Sequence, residues 1–131
     1  MQSRKQVDTR EAPAAFGPFS QAIMIDMLVF TTGQLPIDPV SGEIVDEDVT
    51  AQTHQVLRNL KAILDEAGCT LNDVVKATVF ITNMDDFDTV NKIYATYFSS
   101  PFPARSCIEV SRLAKEAKVE IEAIALLNQS K

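Results

Sequence analysis

The most regular pattern of apolar and polar residues lies near the end of the chain. Two segments there alternate with the two-residue period of a half-buried strand. In residues 103–110, Arg105 lies on the more polar side. In residues 119–125, Glu120 and Glu122 share the polar side, opposite a run of Val, Ile and Ala. The alternation predicts two strands, and it predicts that the cation and the carboxylates project from one side of a sheet, opposite the core.

Two other stretches follow the three- and four-residue spacing of amphipathic helices. The first spans residues 46–67, with Asp48 as the expected N-cap and Gly68 as the expected left-handed residue after its end. The second starts with Asp85 or Asp86 as its cap and ends before a pair of prolines.

Four further segments are predicted as strands: residues 5–9, 22–25, 27–32 and 74–82. The second and third of these form a hairpin that turns near Asp26. The order β-β-β-α-β-α-β-β predicts one α+β domain over residues 1–131, with about six strands and two helices on one face of the sheet. Several strands are apolar on both sides, notably residues 28–30 and 124–127. Because two helices cover only one face, the pattern predicts that the other face is buried against a second subunit.

Composition narrows the possible partners. The chain has 131 residues, 46% of them hydrophobic, and a formal net charge of -6. Nucleic acid is not an expected partner, because phosphate binding needs clustered Lys and Arg. No apolar run approaches the roughly 20 residues needed to span a membrane. The polar N-terminal segment lacks the apolar core of a secretory signal, so the cytoplasm is the expected compartment.

Arg105 and Glu120 are the main candidates for chemistry. The planar guanidinium fork of Arg105 matches a carboxylate, although a surface ion pair with Glu109 would explain it equally well. Crowding among Glu120, Glu122 and Glu109 would raise the pKa of one carboxyl, which suits a general base, although a solvated charged face is the simpler alternative. A hairpin between the two last strands would place Glu120 opposite Glu109. Arg105 would then lie roughly 13 Å from Glu120, so the two would meet across a subunit boundary, through a ligand, or not at all.

Three weaker candidates accompany them. Asn91 falls within the apolar stripe of the second helix, where a buried amide either satisfies the fold or contacts a ligand. Cys107 shares the side of Arg105, without a base nearby in sequence. The turn at Thr32 and Gly33 could direct backbone N–H groups at an anion. The single histidine, His54, and the two cysteines have no metal-ligand spacing, so no metal site is expected.

The chain resembles the Rid (YjgF/RidA) family of enamine/imine deaminases in several blocks of residues, which follow one another in the same order as in that family. The blocks are residues 12–22, 32–36, 52–64, 75–81, 90–94, 103–107 and 119–122. The resemblance implies a chorismate-mutase-like fold and a homotrimer with clefts between subunits. It implies cofactor-free hydrolysis of short 2-imino and 2-enamino acids, such as 2-aminoacrylate and 2-iminobutyrate, to 2-keto acids. It matches Arg105 to the family's carboxylate-binding arginine and Glu120 to its water-orienting glutamate.

Other cleft positions follow from the same resemblance. Asn91 matches a cleft asparagine, and Cys107 matches a cleft cysteine that acts through its backbone. Thr32 and Gly33 match a strand-end Ser-Gly pair, and Phe19 stands where the family usually has a tyrosine. A second class of function stays open, namely a non-catalytic module that binds small carboxylates or acts in regulation, as translation inhibitors or chaperone-like relatives do.

Overall fold

The computed structural model describes residues 3–127; residues 1–2, part of the polar N-terminal segment, and residues 128–131 lie outside the described residues. Its elements are β1 (Lys5–Val7), β2 (Ala22–Ile25), β3 (Leu28–Thr31), α1 (Val49–Ala67), β4 (Val74–Ile81), α2 (Phe87–Tyr97), β5 (Ala104–Glu109) and β6 (Val119–Leu126). The order confirms the predicted α+β fold class. Among the helices in the described part of the chain, none has the length and apolar character needed to cross a membrane.

The six strands form one mixed sheet in the order β1-β2-β3-β6-β4-β5. Strands β4 and β5 are parallel and are joined through α2, whereas the other pairs are antiparallel. The predicted hairpin between β5 and β6 is therefore wrong, because β4 lies between them. Strand β6 pairs with β3 on one edge and with β4 on the other, so neither edge is free to pair with β5.

Both helices pack on the same face of the sheet and form the core with it. The inward side of β6 carries the buried residues Val119, Ile121, Ala123 and Ala125. Helix α1 begins with Asp48, whose side chain accepts from the N–H of Thr50, and ends at Gly68 with φ 90°, as predicted. Asp86 is the N-cap residue of α2, which is one of the two predicted positions, but its side chain makes no cap hydrogen bond. Asn83 caps the short 3-10 turn that precedes α2.

The opposite face of the sheet, which we call the open face, has no helix over it in the described residues. Phe30 pairs with Ile124 across β3 and β6, and Phe80 pairs with Ile108 across β4 and β5. Phe30 is 39% exposed and Ile108 is 44% exposed. The structure thus has the apolar second face from which the sequence predicts a further subunit, and oligomerisation stays a prediction.

Candidate functional site

A pocket of about 200 Å³ opens beside Glu120. Glu120 lies on the open-face side of β6, directly across from Phe80 of β4. Four of the candidate residues line this pocket together: Phe19, Thr32, Gly33 and Glu120. These residues come from three separate parts of the sequence, so the structure unites one half of the candidate site around a single carboxylate.

An interruption of the ladder between β3 and β6 makes room for the Glu120 side chain. The Thr31 hydroxyl accepts from the Ala123 N–H (3.0 Å), and Gln34 rejoins β6 through its N–H to Ile121 O (2.8 Å). A Cβ added at Gly33 would overlap the Glu120 carboxylate and lie 2.8 Å from its Cδ. Only a glycine therefore lets the backbone approach this side chain so closely.

The backbone N–H groups of this turn are mostly engaged, contrary to the prediction that they face an anion. The Thr32 N–H donates to Gln21 O (2.9 Å), and the Gln34 N–H donates to Ile121 O. Of the N–H groups in this turn, at most that of Gly33 has no acceptor among the described residues. Among the side chains that line the pocket, Glu120 is the one that carries a charge.

Two buried amides that the sequence analysis did not single out hold the walls of the pocket. Gln21, 2% exposed, accepts from Thr9 N (2.7 Å) and donates to Pro13 O (2.9 Å). Asn59 of α1, fully buried, donates to Leu35 O (3.1 Å) and Ile37 O (2.9 Å). A signal for Asn59 existed in the sequence, because an amide within an apolar helical stripe must find partners.

Burial raises the pKa of Glu120 above its ordinary value, and the negative charge of Glu122 raises it further. Both causes disfavour the charged form of the carboxyl group. A carboxylate with a raised pKa takes up a proton more readily than an exposed one, which is the property that a general base near neutral pH needs.

Arg105 lies on the other side of the sheet, contrary to the prediction. Its guanidinium Cζ is 4.9 Å from the ring centroid of Tyr94 and 5.7 Å from that of Phe87, both on α2. In β5, Arg105 and Cys107 are half-buried on the helix-covered side, whereas Ala, Ser and Ile are exposed on the open face. Aromatic rings under the guanidinium provide a cation–π surface on the helix-covered side.

The guanidinium of Arg105 forms no ion pair with any of residues 3–127, where the two ion pairs found are Lys61–Asp65 and Arg112–Glu116. The alternative of an Arg105–Glu109 pair is therefore wrong, and a Glu109 carboxylate oxygen instead accepts from the N–H of Met84 (2.7 Å). The fork therefore remains available for the carboxylate of a ligand.

Asn91 and Cys107 accompany Arg105 rather than Glu120. Asn91 follows Phe87 by four residues and precedes Tyr94 by three, so it shares their side of α2. Burial raises the pKa of the Cys107 thiol, an effect that Arg105 partly opposes. The thiol is therefore protonated at neutral pH, and nucleophilic chemistry by Cys107 is not favoured.

The single histidine has a structural partner. His54 Nδ1 lies 2.8 Å from Tyr97 Oη, a hydrogen bond between α1 and α2. Within the described residues, no group of three or more His, Cys, Asp or Glu side chains could hold a metal ion.

One chain does not bring Arg105 and Glu120 together. Arg105 pairs with Ala77 and Glu120 pairs with Phe80, on opposite edges of β4 and three residues apart along it. Standard sheet spacings place their Cα atoms roughly 14 Å apart. Their side chains also leave opposite faces of the sheet. A small molecule therefore cannot contact both groups of one chain.

Gly33→Ala tests the close approach of this backbone to Glu120. We expect the free energy of unfolding to change by less than about 1 kcal/mol, because the overlapping atom is the mobile end of a side chain. The displaced carboxylate should lose burial, so its pKa should fall toward the ordinary range. Chemical denaturation and carboxyl-carbon NMR titration measure the two effects. An unchanged titration of Glu120 would contradict the close packing described above.

Comparison with known proteins identifies the family of this chain. The family model described as "Endoribonuclease L-PSP" matches residues 9–127. A protein of Salmonella typhimurium named 2-iminobutanoate/2-iminopropanoate deaminase is 49% identical over 125 residues, covering 93% of this chain and 97% of that protein. A mouse protein of the same name is 48% identical over 123 residues, covering 94% of this chain and 91% of that protein.

Solved structures agree with this assignment and confirm the fold that the resemblance implies. The Rid-family protein YyfA from Yersinia pestis has a TM-score of 0.93 at 48% identity, over 95% of this chain and all of that one. Escherichia coli TdcF, solved with bound serine, has a TM-score of 0.88 at 43% identity, over 93% of this chain and 98% of that one. The chain belongs to the Rid (YjgF/RidA) family.

Proposed function

We propose that this protein hydrolyses short 2-imino acids, and the 2-enamino acids that tautomerise to them, to 2-keto acids and ammonium. The observation that carries the proposal is the pair of unmatched groups: a guanidinium fork without an ion pair, and a pocket carboxylate with a raised pKa. The deaminase names of relatives at 48–49% identity support the same activity.

The substrate's own chemistry explains why two protein groups suffice. A protonated imine is electrophilic at carbon without a cofactor. In the proposed mechanism Arg105 holds the adjacent carboxylate through two parallel hydrogen bonds and fixes the imine carbon. Glu120 accepts a proton as water adds to that carbon, which gives a neutral carbinolamine. Glu120 then returns the proton to nitrogen, and the C–N bond breaks as the hydroxyl proton passes to the departing ammonia. The products are a 2-keto acid and ammonium.

The proposal includes a homotrimer with its active sites between subunits. The family resemblance implies the number of subunits. Geometry supports a site between them, because Arg105 and Glu120 leave opposite faces of one sheet and the open face is apolar. Arg105, with Asn91 and Cys107, would come from one subunit. Glu120, with Phe19, Thr32 and Gly33, would come from its neighbour.

Light scattering tests this assembly directly. We expect a mass about three times the 14.4 kDa of one chain, because burying the open face removes exposed phenylalanine and isoleucine from water. A stable monomer that still hydrolyses imines would contradict the intersubunit site.

The activity itself is tested by following 2-keto acid formation from enzymatically generated 2-iminobutanoate, with and without the protein. Acceleration over the rate in buffer is the expected result. Binding of 2-oxobutanoate without any acceleration would favour the alternative of a small-carboxylate-binding or regulatory module. The word endoribonuclease in the description of the family model does not change the proposal, because a net charge of -6 does not suit a phosphate backbone.

A further inference from the structure

The pocket beside Glu120 has an apolar mouth. Phe16 and Phe19 meet there edge to face, with ring centroids 5.4 Å apart and planes at 90°. Phe16 is 57% exposed and Phe19 is 40% exposed. Leu35 and Ile37 also line the pocket. Two exposed aromatic rings that converge on a pocket mark a surface that binds an apolar group.

The mouth is held in place from the other side by residues 114–116. Lys115 Nζ lies 5.4 Å from the centroid of the Phe16 ring, a cation–π contact. Lys115 and Glu116 both have left-handed backbones, with φ 58° and 59°. Non-glycine residues adopt this conformation only where the surrounding structure imposes it. The same turn brings Ala114 into the pocket lining.

The size of the pocket indicates how large the bound group is. Its volume of about 200 Å³ on a single chain is several times the roughly 30 Å³ that one water takes up in the liquid. If Glu120 acts on the imine, the space beyond the imine carbon and nitrogen accommodates a side chain of several carbons. 2-Iminopropanoate and 2-iminobutanoate, with one and two side-chain carbons, would leave part of the apolar wall uncovered.

We propose that this pocket selects 2-imino acids with a branched four-carbon side chain, such as 2-imino-4-methylpentanoate, over the three- and four-carbon imino acids. The inference rests on the proposed function and adds the substrate class. Each further carbon of the substrate contacts the hydrocarbon of Phe16 and Phe19 and leaves water. Such carbons raise kcat/KM by several-fold each, so we expect a preference of about 10-fold over 2-iminobutanoate.

The experiment compares kcat/KM for 2-iminopropanoate, 2-iminobutanoate and 2-imino-4-methylpentanoate. Each imine is generated from its amino acid by an amino-acid oxidase, and semicarbazide competes with the protein for it. Phe16→Ala should lower the preference for the four-carbon side chain toward equality, because it removes a wall. Ala114→Leu should reverse the preference, because added carbon fills the pocket and still leaves room for an ethyl group. Val40→Ala, at a position 95% exposed and outside the pocket lining, is the control and should keep the preference.

Calorimetry with keto acids separates this inference from the proposed function. The parent protein should bind 4-methyl-2-oxopentanoate about 10-fold more tightly than 2-oxobutanoate, whether or not it turns over imines. Equal acceleration of all three imines would overturn the side-chain preference and leave the activity intact. Selective binding without turnover would support the pocket and contradict the activity. Preference for the shorter acid, or binding of neither, would overturn the inference.

Discussion

Arg105→Ala is expected to lower kcat/KM for imine hydrolysis and the affinity for keto acids by at least about 10²-fold. The change removes two charge-assisted hydrogen bonds to the substrate carboxylate, worth about 1.5–3 kcal/mol each. The aromatic platform of Tyr94 and Phe87 stays in place, so the fold should persist. Steady-state kinetics and calorimetry with 2-oxobutanoate measure the two losses.

Two further variants show whether the loss comes from the guanidinium fork. Arg105→Lys keeps a positive charge but not the planar fork, so it should restore little of the binding. Arg58→Ala removes an exposed arginine on the outer side of α1 and should leave both quantities unchanged. If Arg105→Lys behaved as the parent does, a point charge would suffice and the bidentate clamp would be the wrong description.

Glu120→Gln should separate catalysis from binding. The amide keeps the size and hydrogen bonding of the side chain but cannot accept the proton of water. Hydrolysis is therefore expected to fall by about 10²–10⁴-fold, while keto-acid binding persists. Some acceleration should remain, because Arg105 still orients the imine. Glu66→Gln, at an exposed position on α1, is the matched control. Equal hydrolysis by Glu120→Gln and the parent would remove Glu120 as the base and favour the binding module.

The stability of this variant checks that lost activity is not lost folding. The pKa of Glu120 is higher in the folded chain than its ordinary value. Burial is the larger cause, and the negative charge of Glu122 is the smaller one. Between the unfolded and folded pKa values the folded state holds more protons, so the free energy of unfolding falls as pH rises through that window. Above the folded pKa the whole loss is present. Glu120→Gln removes this loss of unfolding free energy, so the variant should be at least as stable as the parent at neutral pH.

Several features that the structure contains were visible in short stretches of sequence. The two helices, their stripes and the cap residues Asp48 and Gly68 depend on contacts within four residues. The alternation in β6 placed Glu120 and Glu122 opposite the core, since buried Val and Ile differ strongly from Glu in polarity. Pattern alone also indicated a sheet with one uncovered apolar face.

The partner of each strand could not be predicted in the same way. A hairpin between β5 and β6 is the nearest connection along the chain, but it leaves β4 without its antiparallel neighbour. The choice between the two arrangements depends on the whole sheet and on how α2 crosses it, and no local pattern records that choice. The prediction that Arg105 and Glu120 share a side failed for this reason.

By itself the sequence determined the elements of this protein, the outward direction of Glu120 and membership of the Rid family, because periodicity, caps and motif blocks are properties of neighbouring residues. Only the tertiary structure decided that Arg105 lies over the rings of α2, that Glu120 shares a pocket with Phe19, Thr32 and Gly33, and that one chain separates the two halves. The physical reason is that strand order and facing depend on burying the sheet as a whole, which joins residues far apart in the chain.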